Sequence, residues 1–143
     1  MLVIDQEARQ FMIRDAEQTF PNECCGFMFG REEGADRYVS AARPVENARE
    51  GDKRRRFEIS AIDYMHAEQY AEQKNLSLLG IYHSHPNHPA IASETDRLAA
   101  QPFFSYVIIS VRNAVFAELR SWRLNDDRQF EKEPVALGII SQS

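Results

Sequence analysis

The period of the apolar positions changes several times along the chain, and each change marks an element. Ala8, Phe11, Met12 and Ala16 recur at three- and four-residue spacing. That spacing predicts an amphipathic helix from residue 5 to about 20, closed by Pro21. Residues 24–30, CCGFMFG, form a short apolar run ending in glycine, the mark of a buried strand. After a turn at Gly34, residues 37–43 predict a second strand and therefore a hairpin. Pro44 to Arg55 is polar and charged and reads as an exposed loop, and Arg56 to Ile59 predicts a brief strand. Ser60 with Asp63 resembles a capping box that opens a helix to about residue 73, with Ile62, Met65, Ala67, Tyr70 and Ala71 as its apolar positions. Leu76 to Tyr82 is a largely apolar run, which predicts a buried central strand.

Pro86 and Pro89 break that strand. Ser93-Glu94-Thr95-Asp96 then supplies helix-start chemistry for a short helix to about Ala100, ended by Pro102. Residues 104–111 and 114–124 predict another hairpin across Arg112-Asn113. Within the last segment, 125–143, Gln129 to Glu133 is a candidate edge strand and residues 141–143 are expected to fray. No repeat, linker or low-complexity segment divides the chain, so 1–143 reads as one domain. The order of elements predicts an α/β fold, a mixed, mostly antiparallel sheet flanked by helices.

Composition narrows the function classes. At 143 residues, 43% apolar and 27% charged, the chain can bury a core without disulfide staples. Neither a membrane-length apolar stretch nor a secretory signal is visible, so the expected location is cytoplasmic, with no membrane partner. A net charge of -5 argues against a nucleic-acid partner, which would need a broad basic face. The local exception is Lys53-Arg54-Arg55-Arg56, preceded by Arg43 and Arg49. Such runs are usually solvated; the functional alternative is contact with an acidic face of a protein substrate. Cys24 and Cys25 are adjacent, so a disulfide between them would be strained, and they are expected to pack as small apolar groups.

The chemistry-bearing segment runs from His83 to Asp96, HSHPNHPAIASETD. His83 and His85 stand two apart at the end of a buried strand, so both imidazoles leave one face. From there two nitrogens can reach one metal at about 2.0–2.1 Å. Asp96 follows in the first turn of a predicted helix, and the proline-bearing loop can fold its carboxylate back to them. Two imidazoles and a carboxylate leave a fourth tetrahedral position open for water, as a catalytic zinc site requires. Hydrolysis also needs a proton carrier, and Glu23, at the mouth of the strand starting at Cys24, is the candidate. Ser84 is expected to point away from its neighbours and support the loop. His88 is expected in solvent, and His66 on a helix without partners.

The pattern Glu23, His83-x-His85, ten residues, Asp96 resembles the JAMM signature of the MPN-plus metalloproteases. Pro21-Asn22-Glu23-Cys24-Cys25-Gly26, His83-Ser84-His85-Pro86, Pro89, Ser93 and Arg56-Phe57-Glu58-Ile59 add to the resemblance, which covers residues 1 to about 124. It implies a layered fold like that of cytidine deaminases and one catalytic zinc ion on His83, His85 and Asp96. It further implies Glu23 as general base and then acid, and Ser93 as oxyanion donor. Serine before a short helix is also the usual N-cap, so Ser93 has two readings. The implied substrate is a ubiquitin-like or sulfur-carrier protein, cut at its C-terminal Gly-Gly to trim an extension or release an amino acid such as cysteine.

Three other classes compete. A non-catalytic MPN-fold interaction scaffold would lack the metal ligands that this chain keeps. A zinc deaminase would need His-x-Glu and Pro-Cys-x-x-Cys, and neither is present. A thiol peptidase built on Cys25 would need an orienting group, which the sequence does not mark.

Overall fold

The computed structural model describes residues 1–138; the fraying expected at 141–143 lies outside them. Three strands set the plan because they are apolar on both faces and need cover on both. These are β2 (Cys25–Glu33), β4 (Ser77–Pro86) and β5 (Ser105–Arg112), buried over most of their lengths. On one face, Met28, Tyr82, Val107 and Ile109 pack with Ala8, Met12 and Ala16 of α1 (Gln6–Thr19). On the other, Phe27, Phe29, Ile81 and Tyr106 pack with Ala67 and Ala71 of α2 (Ala61–Lys74). A helix, a sheet and a helix therefore form the layers.

The sheet adds β1 (Leu2–Asp5), β3 (Asp36–Val45), β6 (Val115–Leu124), β7 (Phe130–Glu133) and β8 (Val135–Gly138). Its order is β7-β6-β5-β4-β2-β3-β1-β8. Four pairings are antiparallel, β2–β3, β2–β4, β5–β6 and β6–β7. The pairs β4–β5, β1–β3 and β1–β8 are parallel. The mixed, mostly antiparallel sheet expected from the sequence is thus present. No helix among the described residues is long and apolar enough to cross a membrane.

Three local expectations need correction. Arg56–Ile59 is not a strand: the N–H of Glu58 donates to the Asn47 side chain and its carbonyl accepts from Ala48, so no ladder forms. Ser60 caps α2 by accepting from Asp63 N–H, without a reciprocal Asp63 bond. Ile62 and Met65 are exposed, at 62% and 49%, because the helix turns Ala67 and Ala71, with Tyr64 and Tyr70, toward the sheet. β1 and β8 were not marked by the apolar pattern at all; in β1, Leu2 and Ile4 are fully buried.

The parallel β4–β5 pair positions the site, since parallel neighbours cannot be joined by a tight turn. Residues 87–104 make the crossover and contain α3 (Glu94–Ala99). The pairing brings Gly80 against Ser105, where a Cβ would collide with the Ser105 carbonyl and backbone. Gly80→Ala is therefore expected to lower stability by about 1–3 kcal/mol, as overpacking does. Thermal unfolding checks this, and an unchanged midpoint would refute the close approach.

Candidate metal centre

His83 and His85 lie in the last turns of the β4 ladder, paired with Ile108 and Ser110 of β5. Strand alternation puts both imidazoles on the α2 face, as their spacing predicts. His83 is buried, and its ring stacks on Phe57 with centroids 4.4 Å apart. His85 Nδ1 lies 2.9 Å from the Pro89 carbonyl. A carbonyl only accepts, so Nδ1 carries the hydrogen and Nε2 is left as a lone-pair donor. The two Nε2 atoms stand 3.2 Å apart.

Asp96 reaches them from the first turn of α3. Ser93 caps this helix through a full capping box: Ser93 Oγ accepts from Asp96 N–H at 3.0 Å, and Ser93 N–H donates to Asp96 Oδ2 at 2.9 Å. The same carboxylate places Oδ1 at 3.4 Å from His83 Nε2 and Oδ2 at 3.3 Å from His85 Nε2. Ligands at about 2.0–2.1 Å from a tetrahedral zinc are about 3.3–3.4 Å from one another. The observed triangle has those edges, so the donor set fits a zinc ion with one position left open.

The Glu23 carboxylate also comes within 4.8 Å of the histidine nitrogens. It is the second carboxylate of the site, standing beside the triangle that Asp96 closes. Its position follows from two short tethers. Cys24 N–H donates to Ser84 Oγ at 2.8 Å and Ser84 N–H to the Cys24 carbonyl at 3.2 Å. Ser84 thus points away from its histidine neighbours, as expected, and holds the Glu23 segment against β4. On the other side Glu23 N–H donates to the Lys53 carbonyl at 2.7 Å.

Asn47 was not singled out by the sequence, where it is one polar residue of a charged loop. It is buried, and its Nδ2 donates to the Glu23 carbonyl at 3.2 Å and the Arg56 carbonyl at 3.0 Å. Its Oδ1 accepts from the N–H groups of Arg49 and Glu58. One amide therefore ties Glu23 to the segment bearing Phe57. Most of the loop is exposed, as expected, but its buried Asn47 and the cavity-lining Arg55 make it border the site. His88 and His66 are exposed, as expected.

Burial and charge push the two carboxylates in opposite directions. Burial raises Glu23 to a pKa of about 8, with His85 opposing and Asp96 adding to the rise. Burial also acts to raise Asp96, but His83, His85 and the Ser93 N–H outweigh it and hold that carboxyl far below the usual range. Burial lowers His83. For His85 burial is outweighed by bonds to Asp96 and Pro89, and its pKa rises. Both cysteines are buried, and desolvation pushes Cys25 up to about 12, which removes the thiolate a thiol peptidase needs.

Two cavities adjoin the histidines, and Arg55 and Ser93 line both; a third borders Glu23 on the side of Asn47 and Lys53. On the His83 side, about 260 Å³ is walled by Phe57, Tyr64, Ile81 and Tyr106. On the His85 side, about 430 Å³ is bounded by Glu23, Pro86, Pro89 and Ile91.

Residues 5–125 match the family described as prokaryotic homologs of the JAB domain. A CysO-cysteine peptidase of Mycobacterium tuberculosis is 33% identical over 136 residues, covering 94% of this chain and 90% of that protein. A desampylase of Haloferax volcanii is 33% identical over 91 residues, 63% of each chain. The solution structure of a Desulfitobacterium hafniense protein superposes with a TM-score of 0.84 at 29% identity, covering 96% of this chain and 93% of that one.

Two predictions come from this geometry. In metal-free protein, unfolded Glu23 ionises near pH 4.5 while folded Glu23 keeps its proton to about 8. The folded state then binds more protons, so this residue's contribution to stability falls as pH rises across that window. Glu23→Gln should remove that fall, read as a widening gap in melting temperature over wild type from pH 5 to 8; a constant gap would refute it. Asn47→Ala leaves the Glu23 and Arg56 carbonyls and two N–H groups without this partner and should cost about 1–3 kcal/mol in chemical denaturation.

Proposed function

The chain belongs to the family of prokaryotic homologs of the JAB domain, and from that premise we propose that it is a zinc-dependent peptidase or isopeptidase. Its substrate is a ubiquitin-like or sulfur-carrier protein, hydrolysed at the C-terminal Gly-Gly in the cytoplasm. The observation that carries this reading is the triangle of His83, His85 and Asp96, whose edges of 3.2–3.4 Å are those of a tetrahedral zinc site. The peptidase and desampylase names of the two relatives support a hydrolase. The buried free thiols suit a reducing compartment.

A zinc ion on those three ligands would supply Lewis acidity toward the scissile carbonyl and acidify the attacking water to a pKa of about 7. The protein's own groups do the rest. Glu23 takes a proton from that water as its oxygen bonds to the carbonyl carbon. It then gives the proton to the amine nitrogen as the C–N bond breaks. A carboxyl whose pKa burial has raised is suited to holding a proton between the two steps. Ser93 Oγ already accepts from Asp96 N–H, which leaves its own hydrogen free to donate to the carbonyl oxygen as that oxygen gains charge. The N-cap and oxyanion readings of Ser93 are therefore compatible. A non-catalytic scaffold has no use for two imidazoles and two carboxylates converging at one buried point.

The test is mass-resolved cleavage of a ubiquitin-like carrier bearing residues after its Gly-Gly, using zinc-loaded protein. Cleavage after Gly-Gly is expected, lost with a chelator and reduced at least about 10²-fold by Glu23→Gln. His83→Ala and Asp96→Asn should lose stoichiometric zinc, whereas Glu23→Gln should keep it. Zinc retained by both ligand variants would overturn the assignment of the site. A carrier left whole by metal-loaded protein would return the scaffold reading.

A further inference from the structure

The loop that follows the histidines is bound by one row of side chains across three strands. His85 of β4 pairs with Ser110 of β5, and Ser110 pairs with Glu118 of β6. Residues opposite one another on adjacent strands project to the same face, so these three side chains stand side by side. Each meets a different residue of the loop. Ser110 Oγ donates to the His88 carbonyl at 2.6 Å, and His85 Nδ1–H to the Pro89 carbonyl at 2.9 Å. Glu118 Oε1 accepts from Ala90 N–H at 2.9 Å. Trp122, on the same face of β6, donates its indole N–H to the Ala90 carbonyl at 3.1 Å. Ala90 is fully buried, and Ile91 N–H closes a tight turn onto the Pro89 carbonyl at 2.8 Å.

Two of these bonds share one peptide group. The carbonyl that His85 meets and the N–H that Glu118 accepts from are the two ends of the Pro89–Ala90 peptide. A negative charge at the N–H end pushes electron density toward the carbonyl oxygen, and hydrogen bonds strung in this way polarise one another. The oxygen then draws harder on the His85 Nδ1 proton, which makes Nε2 a better electron donor. Metal-binding histidines are commonly tuned by a carboxylate bonded directly to the second ring nitrogen. Here a peptide stands between the two. The bond from Ala90 N–H lowers the Glu118 carboxyl below its usual range, with burial opposing and Arg120, at 3.1 Å, adding to the fall. The charge that the arrangement needs is therefore present at neutral pH.

We infer that Glu118 is a positioning residue for the metal centre, fixing the His85 ring and strengthening Nε2 as a ligand through the Pro89–Ala90 peptide. The inference rests on the reading of His85 as a metal ligand. Glu94 offers a comparison, since it carries the same charge two residues from Asp96 but is exposed and pairs with Arg97.

Zinc affinity, measured by chelator competition, compares wild type with Glu118→Gln, Glu118→Ala and Glu94→Gln. Glutamine keeps an acceptor for Ala90 N–H but removes the charge, whereas alanine removes both. Glu118→Gln should weaken zinc about tenfold and Glu118→Ala by up to about 100-fold, the range for lost partners of metal ligands. Glu94→Gln should leave affinity nearly unchanged, because an exposed charge is screened. The His85 Nδ1 proton resonance of the zinc-loaded protein reports the bond to Pro89 and should move upfield in Glu118→Gln, with the metal-free melting temperature kept. Equal losses in Glu118→Gln and Glu94→Gln would reduce the effect to net charge and overturn the relay. Full affinity in Glu118→Gln with an unmoved His85 proton would overturn it too, leaving the centre intact. Wild-type protein that binds no zinc would overturn the centre itself, and the relay with it.

Discussion

The pairing of Cys25 with His83 across β2 and β4 is the constraint on which the site depends. A slip of one residue in that register would send the imidazoles to the α1 face, because strand side chains alternate. It would also separate Cys24 from Ser84, whose two hydrogen bonds hold the residue after Glu23. The Glu23 carboxyl and the histidine pair are therefore fixed by one ladder, although Glu23 and His83 are 60 positions apart in the chain. Burial on both faces locks the register, since Tyr82 and Ile81 belong to opposite cores.

The crossover supplies the rest. Parallel β4 and β5 force the chain to leave at the carboxyl end of β4, where the histidines lie, and to return over the sheet. Ser93 and Asp96 are carried on that return. Two carboxyls then share one buried cleft with contrary behaviour. Asp96 touches both rings and an N–H and stays charged, while Glu23, with fewer partners, prefers its proton. The difference lies in contacts alone, because both are carboxyls of nearly equal intrinsic acidity.

The sequence made visible what depends on local period and local caps. The His-x-His spacing names a face, and Ser93 three residues before Asp96 names a helix start. Helix α1 and the central strands were legible for the same reason. What escaped was tertiary. Asn47 looks like any loop asparagine until Glu23, Arg49, Arg56 and Glu58 are brought around it. β1 and β8 are four residues each and pair in parallel with one another, so no turn announces them. Arg56–Ile59 resembled a strand by composition, but a side chain satisfies its backbone. On α2, the face toward the sheet carries Ala67 and Ala71 with Tyr64 and Tyr70 beside them, and Ile62 and Met65 fall outside it.

The capping box of α3 has a thermodynamic consequence for ion capture. A free aspartate side chain samples several rotamers, and a ligand recruited from that ensemble loses binding energy to ordering. Here the Ser93 N–H holds Asp96 in place before any ion arrives, and the Pro89 carbonyl does the same for His85. Their conformational entropy was surrendered when the helix and loop folded. A metal ion held by these side chains would therefore have its affinity set by desolvation and by the ligands' shared charge, with little lost to rearrangement.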